Sequence, residues 1–318
     1  MLAIVFENNQ IKLKEISNPI PPKGEALIRV LYSGICNTDL EIVKGYMGFD
    51  GVIGHEFVGV VENSEDENWI GKRVVGEINY GCEKCEFCRQ ELNRHCPHRT
   101  ILGILNRDGA HAQYVTLPIS NLYELPKNID DKSAVFIEPL AAALEICEQI
   151  HLQPGVKVTV IGDGKLGQLI ALVLNLYPVE LTVIGKSQFK LDQLIEKNIN
   201  VLQDDQVNLK PQDIVVECSG VSDGLQLANS ILKPRGTLVL KSTYHDDFPF
   251  NPAIWIINEI NLIGSRCGPF QPAIDLLKKN MIDPAYLISK VVQTKDGLGA
   301  FNLTQEKNVF KVLIDWQN

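Results

Sequence analysis

The sequence lacks a surplus of positive charge. Its 318 residues include 30 Lys and Arg against 39 Asp and Glu, which gives a formal net charge of -9. A protein that binds nucleic acid or an anionic membrane surface neutralises phosphates with clustered cations. The charge balance therefore argues against both kinds of partner and leaves an enzyme or a binding protein for small molecules.

The sequence also lacks long apolar runs and a basic leader. No stretch approaches the roughly 20 apolar residues that a membrane-spanning helix needs. The N-terminal run MLAIVFENN has no positive leader and reaches acidic or polar residues within seven positions, unlike a signal peptide. We therefore expect a cytoplasmic protein. Because that compartment is reducing, a cysteine cluster there indicates metal ligands or redox thiols, not a disulfide framework.

Four of the eight cysteines fall within fifteen residues, in the segment YGCEKCEFCRQELNRHCPH. They follow the spacing C-x2-C-x2-C-x7-C and are Cys82, Cys85, Cys88 and Cys96. This spacing lets four thiolates converge on one tetrahedral zinc at about 2.3 Å with no position open for substrate, which predicts a structural zinc that holds a loop. A redox pair or a chance set of thiols is the alternative. An iron–sulfur cluster of the C-x2-C-x2-C-x3-C-P type would need a spacing that is absent.

The sequence pattern changes near residue 140. Up to about residue 125 the chain consists of short β-type runs broken by turns, such as LAIVF, ALIRVLYSGIC and AQYVTL. From about residue 153 to 265 apolar strands alternate with helical segments, as in VKVTVIG, KLGQLIALVLNLY and ELTVIG. Such alternation predicts a parallel sheet with helices on both faces. The predicted fold class is therefore α/β, with a doubly wound parallel-sheet domain and a β-rich domain.

The segment VTVIGDGKLGQLIALVL places a G-x-G-x-x-G motif between a strand and a helix. Gly162 permits the tight turn, Gly164 lets the backbone approach a pyrophosphate, and Gly167 lets the helix pack closely on the strand. The helix that begins near Lys165 and Leu166 adds the positive end of its dipole. We predict that this turn binds a dinucleotide. A turn with only a structural role is the alternative.

The end of the next strand bears on which dinucleotide binds. An NAD site usually has an acidic residue about 20 residues after the glycines, whereas a 2′-phosphate requires a cation there instead. The segment VIGKSQFK has Gly185 at that place, followed by Lys186, Ser187 and Lys190. The sequence therefore predicts NADP(H) in preference to NAD(H). The alternative is that both lysines belong to the solvated face of the next helix.

Three segments of the first half contain side chains that ligate metals. GICNTDLEI contains Cys36, Thr38 and Glu41, GHEFVG contains His55 and Glu56, and FIEPLAAALE contains Glu138. Cysteine, histidine and carboxylate are the ligand types of a catalytic zinc that keeps one position open for substrate. Each segment alone has an ordinary explanation, because an isolated cysteine is usually a small core residue and Glu-Pro commonly starts a helix.

In this order, the segments resemble the zinc-dependent medium-chain dehydrogenases, in particular the branch of sorbitol, polyol and threonine dehydrogenases. The resemblance covers nearly the whole chain and includes RDGAHAQYV, EPLAAAL and the terminal KVLI. It implies a GroES-like catalytic domain at 1–140, completed by 268–318, and a Rossmann nucleotide-binding domain at 141–267. It also implies an active site in the cleft between the domains and assembly as a homodimer or homotetramer.

The resemblance implies roles for individual residues as well. The ligands of a catalytic zinc would be Cys36, His55, Glu56 and Glu138, and the four-cysteine lobe would hold a second zinc ion. Thr38 would begin the proton relay from the substrate alcohol. The second relay position, often histidine in the family, is Glu41, so a carboxylate would have to serve there. The implied reaction is hydride transfer between NADP(H) and an alcohol, a polyol or its carbonyl compound, with zinc as Lewis acid.

Several assignments stay open at this level. Arg266, in GSRCGPF, would either reach the cofactor or pair with acidic groups at the surface. His111, in DGAHAQ, is a candidate for the lining of the cleft. Two other functions are also compatible with the sequence: a zinc-free quinone or enone reductase of the same fold, and a protein that senses NADP(H) without turnover. The intact set of zinc ligands argues against the first, and the altered relay at Glu41 supports the second.

Overall fold

A computed structural model describes residues 1–243 and 251–317 of the chain. The chain divides into two compact units, one formed by Met1–Glu138 with Phe270–Asn318 and the other by Pro139–Pro269. The first unit therefore combines residues from both ends of the chain. None of the helices in the described ranges has the length and apolarity needed to cross a membrane.

Strands and helices contribute nearly equal shares of the regular structure. The described ranges contain eighteen strands: β1 Leu2–Glu7, β2 Gln10–Glu15, β3 Glu25–Gly34, β4 Gly51–Val52, β5 Glu56–Ser64, β6 Arg73–Gly76, β7 Asn79–Tyr80, β8 Thr100–Ile101, β9 Tyr114–Pro118, β10 Leu122–Glu124, β11 Lys157–Ile161, β12 Glu180–Gly185, β13 Asn200–Gln203, β14 Gln212–Glu217, β15 Leu232–Leu240, β16 Asn261–Gly264, β17 Ile288–Gln293 and β18 Lys311–Asp315.

Ten α-helices occur in the same ranges: α1 Asn37–Val43, α2 Glu86–Arg89, α3 Asp131–Ala134, α4 Ile137–Gln149, α5 Lys165–Leu174, α6 Gln188–Ile195, α7 Ser222–Ile231, α8 Ala253–Ile257, α9 Phe270–Lys278 and α10 Gly297–Leu303. Single turns of 3-10 helix occupy Tyr46–Gly48, Glu67–Trp69, Asn93–His95, Ile119–Asn121, Asp204–Gln206, Ala285–Leu287 and Thr294–Asp296.

The first unit is built mainly from antiparallel strands. Its largest sheet has seven strands in the order β10-β6-β5-β3-β18-β17, and β9 also pairs with β3. Along most of β3 buried and half-buried residues alternate, which is the period-two pattern of a strand with one face on the core. The terminal strand β18 runs antiparallel to β3, with Ile314 opposite Ser33. The last residues of the chain thus lie beside the strand that leads to Cys36.

The second unit contains one parallel sheet of six strands in the order β13-β12-β11-β14-β15-β16. Read from the first strand of the unit, this is the doubly wound order 3-2-1-4-5-6. Strand β11 lies inside the sheet, and its residues after Lys157 are buried, as expected for a strand covered on both faces. The predicted fold class, α/β with a doubly wound parallel sheet beside a β-rich unit, is confirmed.

Several strands have no counterpart in the sequence pattern, and three of them, β13, β16 and β17, lie at the edges of sheets. β13 and β16 form the two edges of the parallel sheet, and β17 is the last strand of the seven-stranded sheet. Their residues are mostly exposed or half-buried. Strands at an edge do not need the apolar run or the strict alternation by which a buried strand is found. The tail that the sequence predicted as helix and one closing strand therefore also contains β17.

Candidate active site and metal centres

The first candidate centre begins where β3 ends. Cys36 precedes helix α1 as its N-cap residue. The Asp39 carboxylate, three residues later, accepts a hydrogen bond from the Cys36 backbone N–H at 2.7 Å. This contact satisfies one of the N–H groups that the first turn of a helix leaves without a partner. It also fixes the direction in which the Cys36 thiol leaves the backbone.

His55 and Glu56 bring two further ligands to Cys36. His55 directly follows Gly54, whose φ of 100° is in the left-handed region that favours glycine, and Glu56 is the first residue of β5. One ligand atom each from Cys36, His55 and Glu56 lie within 4.8 Å of one another. Thiolate, imidazole and carboxylate at such separations fit a divalent metal such as zinc.

A single buried carboxylate orients His55. The Nδ1 atom of His55 lies 3.3 Å from Asp39 Oδ1, and the Nε2 atom of His111 lies 3.4 Å from Asp39 Oδ2. Burial by itself raises the pKa of Asp39, but the two imidazoles outweigh it and hold that pKa well below its ordinary range. Asp39 therefore stays charged. Because Nδ1 of His55 faces this carboxylate, Nε2 is the nitrogen left to bind a metal.

Glu56 is paired with a lysine in the core. Lys311, the first residue of β18, donates a hydrogen bond to Oε2 of Glu56, and both side chains are 1% exposed. Oε1 of Glu56 is also buried and has no hydrogen-bond partner among the described residues. A buried carboxylate oxygen without a partner is costly unless a ligand fills the gap. The arrangement therefore fits a metal bound through Oε1.

Glu138 is the fourth ligand that the sequence predicts. It stands in the first turn of α4 and lies outside the group formed by Cys36, His55 and Glu56. Burial raises the pKa of its carboxyl to about 7, with His55 opposing that rise and Glu56 adding to it. Its charge state thus responds to both ligand positions. The described geometry leaves the ligand role of Glu138 a prediction.

The two predicted relay residues share helix α1. Oγ1 of Thr38 lies 3.8 Å from Sγ of Cys36, beside the candidate metal centre. Glu41 is three residues further on, so both side chains lie on one face of the helix. Oε1 of Glu41 accepts a hydrogen bond from Lys44 at 2.9 Å, while Oε2 is buried and has no partner in the described parts of the chain.

The four-cysteine lobe forms the second candidate centre. Single ligand atoms from its four cysteines lie within 4.8 Å of one another. The Sγ atom of Cys85 is 3.5 Å from that of Cys88 and 3.7 Å from that of Cys96. Sulfurs bound at 2.3 Å around one tetrahedral zinc are about 3.8 Å apart. The predicted set is thus assembled with the dimensions that zinc requires.

Backbone groups around the lobe favour thiolates. The N–H groups of Cys82 and His98 donate to Sγ of Cys96 at 3.4 and 3.3 Å. The backbone N–H of Lys84 is the main cause that lowers the pKa of Cys82 to about 6. A side chain at Gly81 would come within 2.8 Å of the Cys88 sulfur, so only glycine leaves room for that ligand. Thiolate is the form that binds zinc.

The glycine motif lies between β11 and α5, as the sequence predicts. Gly162 has a φ of 127°, and a Cβ at Gly167 would lie 2.0 Å from the Gly162 carbonyl oxygen. These two glycines therefore serve the tight turn and the close packing of helix on strand. A Cβ at Gly164 would have no described atom within 4 Å. That open space, at the N-terminus of the helix that begins with Lys165 and Leu166, fits a pyrophosphate.

An acidic residue within the glycine motif reaches the end of β12. Oδ2 of Asp163 accepts hydrogen bonds from the backbone N–H groups of Lys186 and Ser187 at 2.8 and 2.7 Å. A Cβ at Gly185 would lie 2.5 Å from the Asp163 side chain. A carboxylate therefore lies beside position 185, although residue 185 is itself glycine. Lys190 stands one turn further on, in α6.

The remaining predicted residues of the nucleotide unit are partly engaged with protein groups. Lys186 Nζ lies 3.6 Å from a carboxylate oxygen of Asp204, in an exposed ion pair. The backbone carbonyl of Arg266 accepts a hydrogen bond from the buried Lys241 at 2.6 Å, and Lys241 also donates to the Ser265 hydroxyl at 3.0 Å. The backbone at Arg266 is thereby fixed, and contact of its side chain with a cofactor stays a prediction.

Comparison with known proteins shows what the chain is similar to. Residues 22–127 match the alcohol dehydrogenase GroES-like domain. A sorbitol dehydrogenase from Halalkalibacterium halodurans is 29% identical over 325 residues, covering 95% of this chain and 94% of the relative. The chain is thus similar to dehydrogenases of this kind over nearly its whole length. The match to the GroES-like domain lies within the first unit.

Two solved structures resemble this chain over 99% of both chains. One is a short chain alcohol dehydrogenase (rspB) from Escherichia coli CFT073 complexed with the cofactor NADH, with a TM-score of 0.91 and 25% identity. The other is the alcohol dehydrogenase TADH from Thermus sp. ATN1, with a TM-score of 0.91 and 26% identity. The two-unit architecture is therefore the one that these dehydrogenases have.

Three residues at the candidate sites were given no role from the sequence. Asp39 carries a sequence signal, because an aspartate three residues after Cys36 matches an N-terminal helix contact. Lys311 carries a weaker one, as a cation that directly precedes an apolar strand. Asp163 carries none, because its target lies in another βα turn. His111, predicted to line a cleft, is instead completely buried.

Replacing Lys311 by Met should leave Glu56 buried without its counter-charge. We expect the free energy of unfolding to fall by about 3–5 kcal/mol. The matched control is Lys290→Met on the neighbouring strand β17, whose exposed pair with Glu306 is 3.9 Å long and should contribute no more than about 0.5 kcal/mol. Urea unfolding of the metal-free protein provides the measurement. Equal losses for the two variants would show that the buried pair is not a special constraint.

Replacing Cys96 by Ser should remove one thiolate from the four-cysteine lobe. The protein is expected to lose one zinc per subunit and to unfold at a lower temperature, because structural zinc contributes directly to folding. Elemental mass spectrometry with a protein assay and a thermal melt measure both effects. Cys147→Ser, at a half-buried cysteine outside both centres, is the control. Full zinc retention by Cys96→Ser would contradict the assignment.

Proposed function

We propose that this protein is a zinc-dependent medium-chain dehydrogenase, an oxidoreductase that transfers hydride between a nicotinamide dinucleotide and an alcohol or polyol, or its carbonyl compound. The group formed by Cys36, His55 and Glu56 carries the proposal, because it offers three ligand types with one buried carboxylate oxygen unpartnered. The relative named a sorbitol dehydrogenase supports a polyol as substrate. The first compact unit would be the catalytic domain and the second the cofactor domain.

The side chains of the first unit would bind and position the reacting groups. Lewis acidity and hydride acceptance are what zinc and the nicotinamide supply when bound. Cys36, His55 and Glu56 would hold the metal, and Lys311 would balance part of the negative charge that these ligands bring. Glu138 would be the fourth ligand, in place of the cysteine that the family's alcohol dehydrogenases have.

Proton movement would begin at Thr38. Its hydroxyl lies beside the Cys36 sulfur, where it can accept a proton from a substrate alcohol and pass one on. Glu41, on the same face of α1, would receive that proton at its buried Oε2. A carboxylate would thus perform the step for which the family often has histidine.

Two zinc ions per subunit are part of the proposal. One would be held by the group around Cys36, and the other by the four cysteines of the lobe. The lobe site has only protein ligands, which suits a structural ion and leaves no position for substrate.

The cofactor proposal is NADP(H) in preference to NAD(H). Residue 185 is glycine and not an acid, and Lys186, Ser187 and Lys190 offer positive charge and a hydroxyl to a 2′-phosphate. Asp163 acts against this preference, because its carboxylate occupies the backbone N–H groups of residues 186 and 187. The preference would therefore depend on whether the nearby cations attract a 2′-phosphate more strongly than the Asp163 carboxylate repels it. Arg266 would add a further cation to the cofactor site.

Assembly and location belong to the proposal as well. A homodimer or homotetramer would cover the exposed apolar side chains of α8 and the edge strand β16, among them Ile256, Ile257 and Leu262. The cytoplasm would be the compartment, because four adjacent cysteines then remain reduced and able to bind zinc.

Replacing Cys36 by Ser tests the catalytic assignment. The variant should lose alcohol oxidation and one zinc per subunit while NADPH binding, measured by fluorescence titration, stays nearly unchanged. Cys147→Ser serves as the control and should keep both metal ions and activity. Unchanged activity in Cys36→Ser would favour a zinc-free reductase. A wild-type protein inert toward a broad panel of alcohols and polyols would favour an NADP(H)-sensing protein.

Replacing Asp163 tests the balance at the ribose. Asp163→Asn removes the charge, and Asp163→Ala also frees the two N–H groups, so both should improve NADPH binding relative to NADH. We expect a shift of roughly tenfold, about 1.4 kcal/mol, and a larger one for Ala. Asp205→Asn, at an exposed neighbouring position, is the control. Michaelis constants for both cofactors measure the effect, and a clear wild-type preference for NADH would overturn the NADP(H) proposal.

A further inference from the structure

A chain of buried polar groups extends from the metal centre to the last residues of the protein. Beyond His55 and Asp39 it continues through His111, whose Nδ1 lies 2.8 Å from the Ser33 hydroxyl. The indole Nε1 of Trp316 donates to the same Ser33 hydroxyl at 2.7 Å. No member of the chain is more than 3% exposed. The proposed reaction does not use His111, Ser33 or Trp316.

Hydrogen-bonding rules give this chain a direction. An indole N–H can only donate, so Trp316 occupies a lone pair of Ser33 Oγ. The Asp39 carboxylate can only accept, so it favours an N–H at the Nε2 atom of His111 that faces it. Neutral imidazole that carries its hydrogen at Nε2 accepts at Nδ1, and the Ser33 hydroxyl can direct its own hydrogen there while it accepts from Trp316. The indole of Trp316, 205 residues further along the sequence, thus supports this tautomer of His111.

The same logic continues into the metal centre. The Cys36 N–H donates to Oδ2 of Asp39, and Nε2 of His111 lies 3.4 Å from the same oxygen, so Oδ1 faces His55 Nδ1 at 3.3 Å. These two imidazole contacts are longer than ordinary hydrogen bonds, but the facing carboxylate favours a hydrogen on Nδ1 of His55, which leaves the lone pair of Nε2 for a metal.

The surroundings of His111 give it little freedom to turn. Its backbone N–H donates to Ile53 at 2.9 Å, and its carbonyl accepts from Ile4 at 2.8 Å. Its ring meets Phe301 edge to face, with 5.9 Å between centroids. On another side the ring lies against Gly54, where even a Cβ would approach within 2.4 Å. Because the ring has little room to turn, the contact of Nδ1 with Ser33 also fixes where Nε2 lies relative to Asp39.

We propose that His111, set by Ser33 and Trp316, is a positioning residue that holds Asp39 and thereby fixes His55 in the form that binds the catalytic metal. The inference rests on the proposed function, because it assumes a metal at Cys36, His55 and Glu56. It assigns a role to the C-terminal tryptophan that is separate from that of Lys311, although both belong to the final segment of the chain.

The test is zinc affinity, measured by competition with a chromogenic chelator on the full-length protein. His111→Phe keeps the ring volume and removes the donor, so it should weaken zinc binding at the catalytic site by about 10–100-fold. The zinc of the four-cysteine lobe should be retained as in the wild type and serves as the internal reference. His111→Gln, which keeps an N–H able to reach Asp39, should restore affinity to within a few-fold of the wild type.

Trp316→Phe provides a second and milder variant. It removes only the indole donor and should weaken the same zinc site several-fold. In combination with His111→Phe it should add nothing, because both changes break one chain. Trp255→Phe is the matched control: Trp255 also donates through Nε1, to Asn229 at 2.8 Å, but in the other unit.

The outcomes distinguish failure of the proposed function from failure of this inference alone. A wild-type protein with a single zinc per subunit would overturn the proposed function and this inference with it. Two zinc ions in the wild type, with unchanged affinity in both His111→Phe and Trp316→Phe, would overturn the inference alone. If His111→Phe does not fold, His111→Gln and Trp316→Phe decide: wild-type affinity in Gln with a selective loss in Trp316→Phe supports the inference, and no loss in Trp316→Phe overturns it.

Discussion

The buried contact between Lys311 and Glu56 constrains the whole first unit. The two residues are 255 positions apart, and neither can be buried without the other, because an unpaired charge in the core costs several kcal/mol. Their pairing therefore requires β18 to dock beside β3 and directs the Glu56 carboxylate toward Cys36 and His55. The C-terminal segment is part of the site for this reason, although the candidate ligands come from the first 138 residues.

The charged groups beside Glu56 and His55 have opposite signs. At Glu56 a lysine partner holds one oxygen and leaves the other for a metal. At His55 the reverse holds: a buried anion, Asp39, lies beside the imidazole, whose neutral form would be the one to bind a metal. Both arrangements place a charged group behind a ligand atom. The donor set is thus preorganised by the core and does not depend on flexible surface side chains.

The two candidate metal centres show why one could be predicted more directly than the other. The lobe cysteines lie within fifteen residues, so their spacing alone defines the set. The ligands near α1 come from separate segments, and only resemblance to a family joined them. The partners behind those ligands, Lys311 and His111, lie farther along the chain in segments with no sequence signal for metal binding. Similarly, Asp163 meets residues 186 and 187 only because the turns after β11 and β12 lie side by side in the parallel sheet.

The sequence by itself determined what is local or periodic. The cysteine spacing, the glycine turn and the alternation of strand and helix each depend on residues close together, so they predicted the lobe, the dinucleotide turn and the α/β class. The exposed strands β13, β16 and β17 were not predicted, because edge strands need no apolar pattern. The tertiary structure alone decided which distant charges are paired, that His111 is buried behind Asp39, and that the Asp163 carboxylate lies beside Gly185. These contacts follow from strand pairing over long sequence separations, which no local pattern encodes.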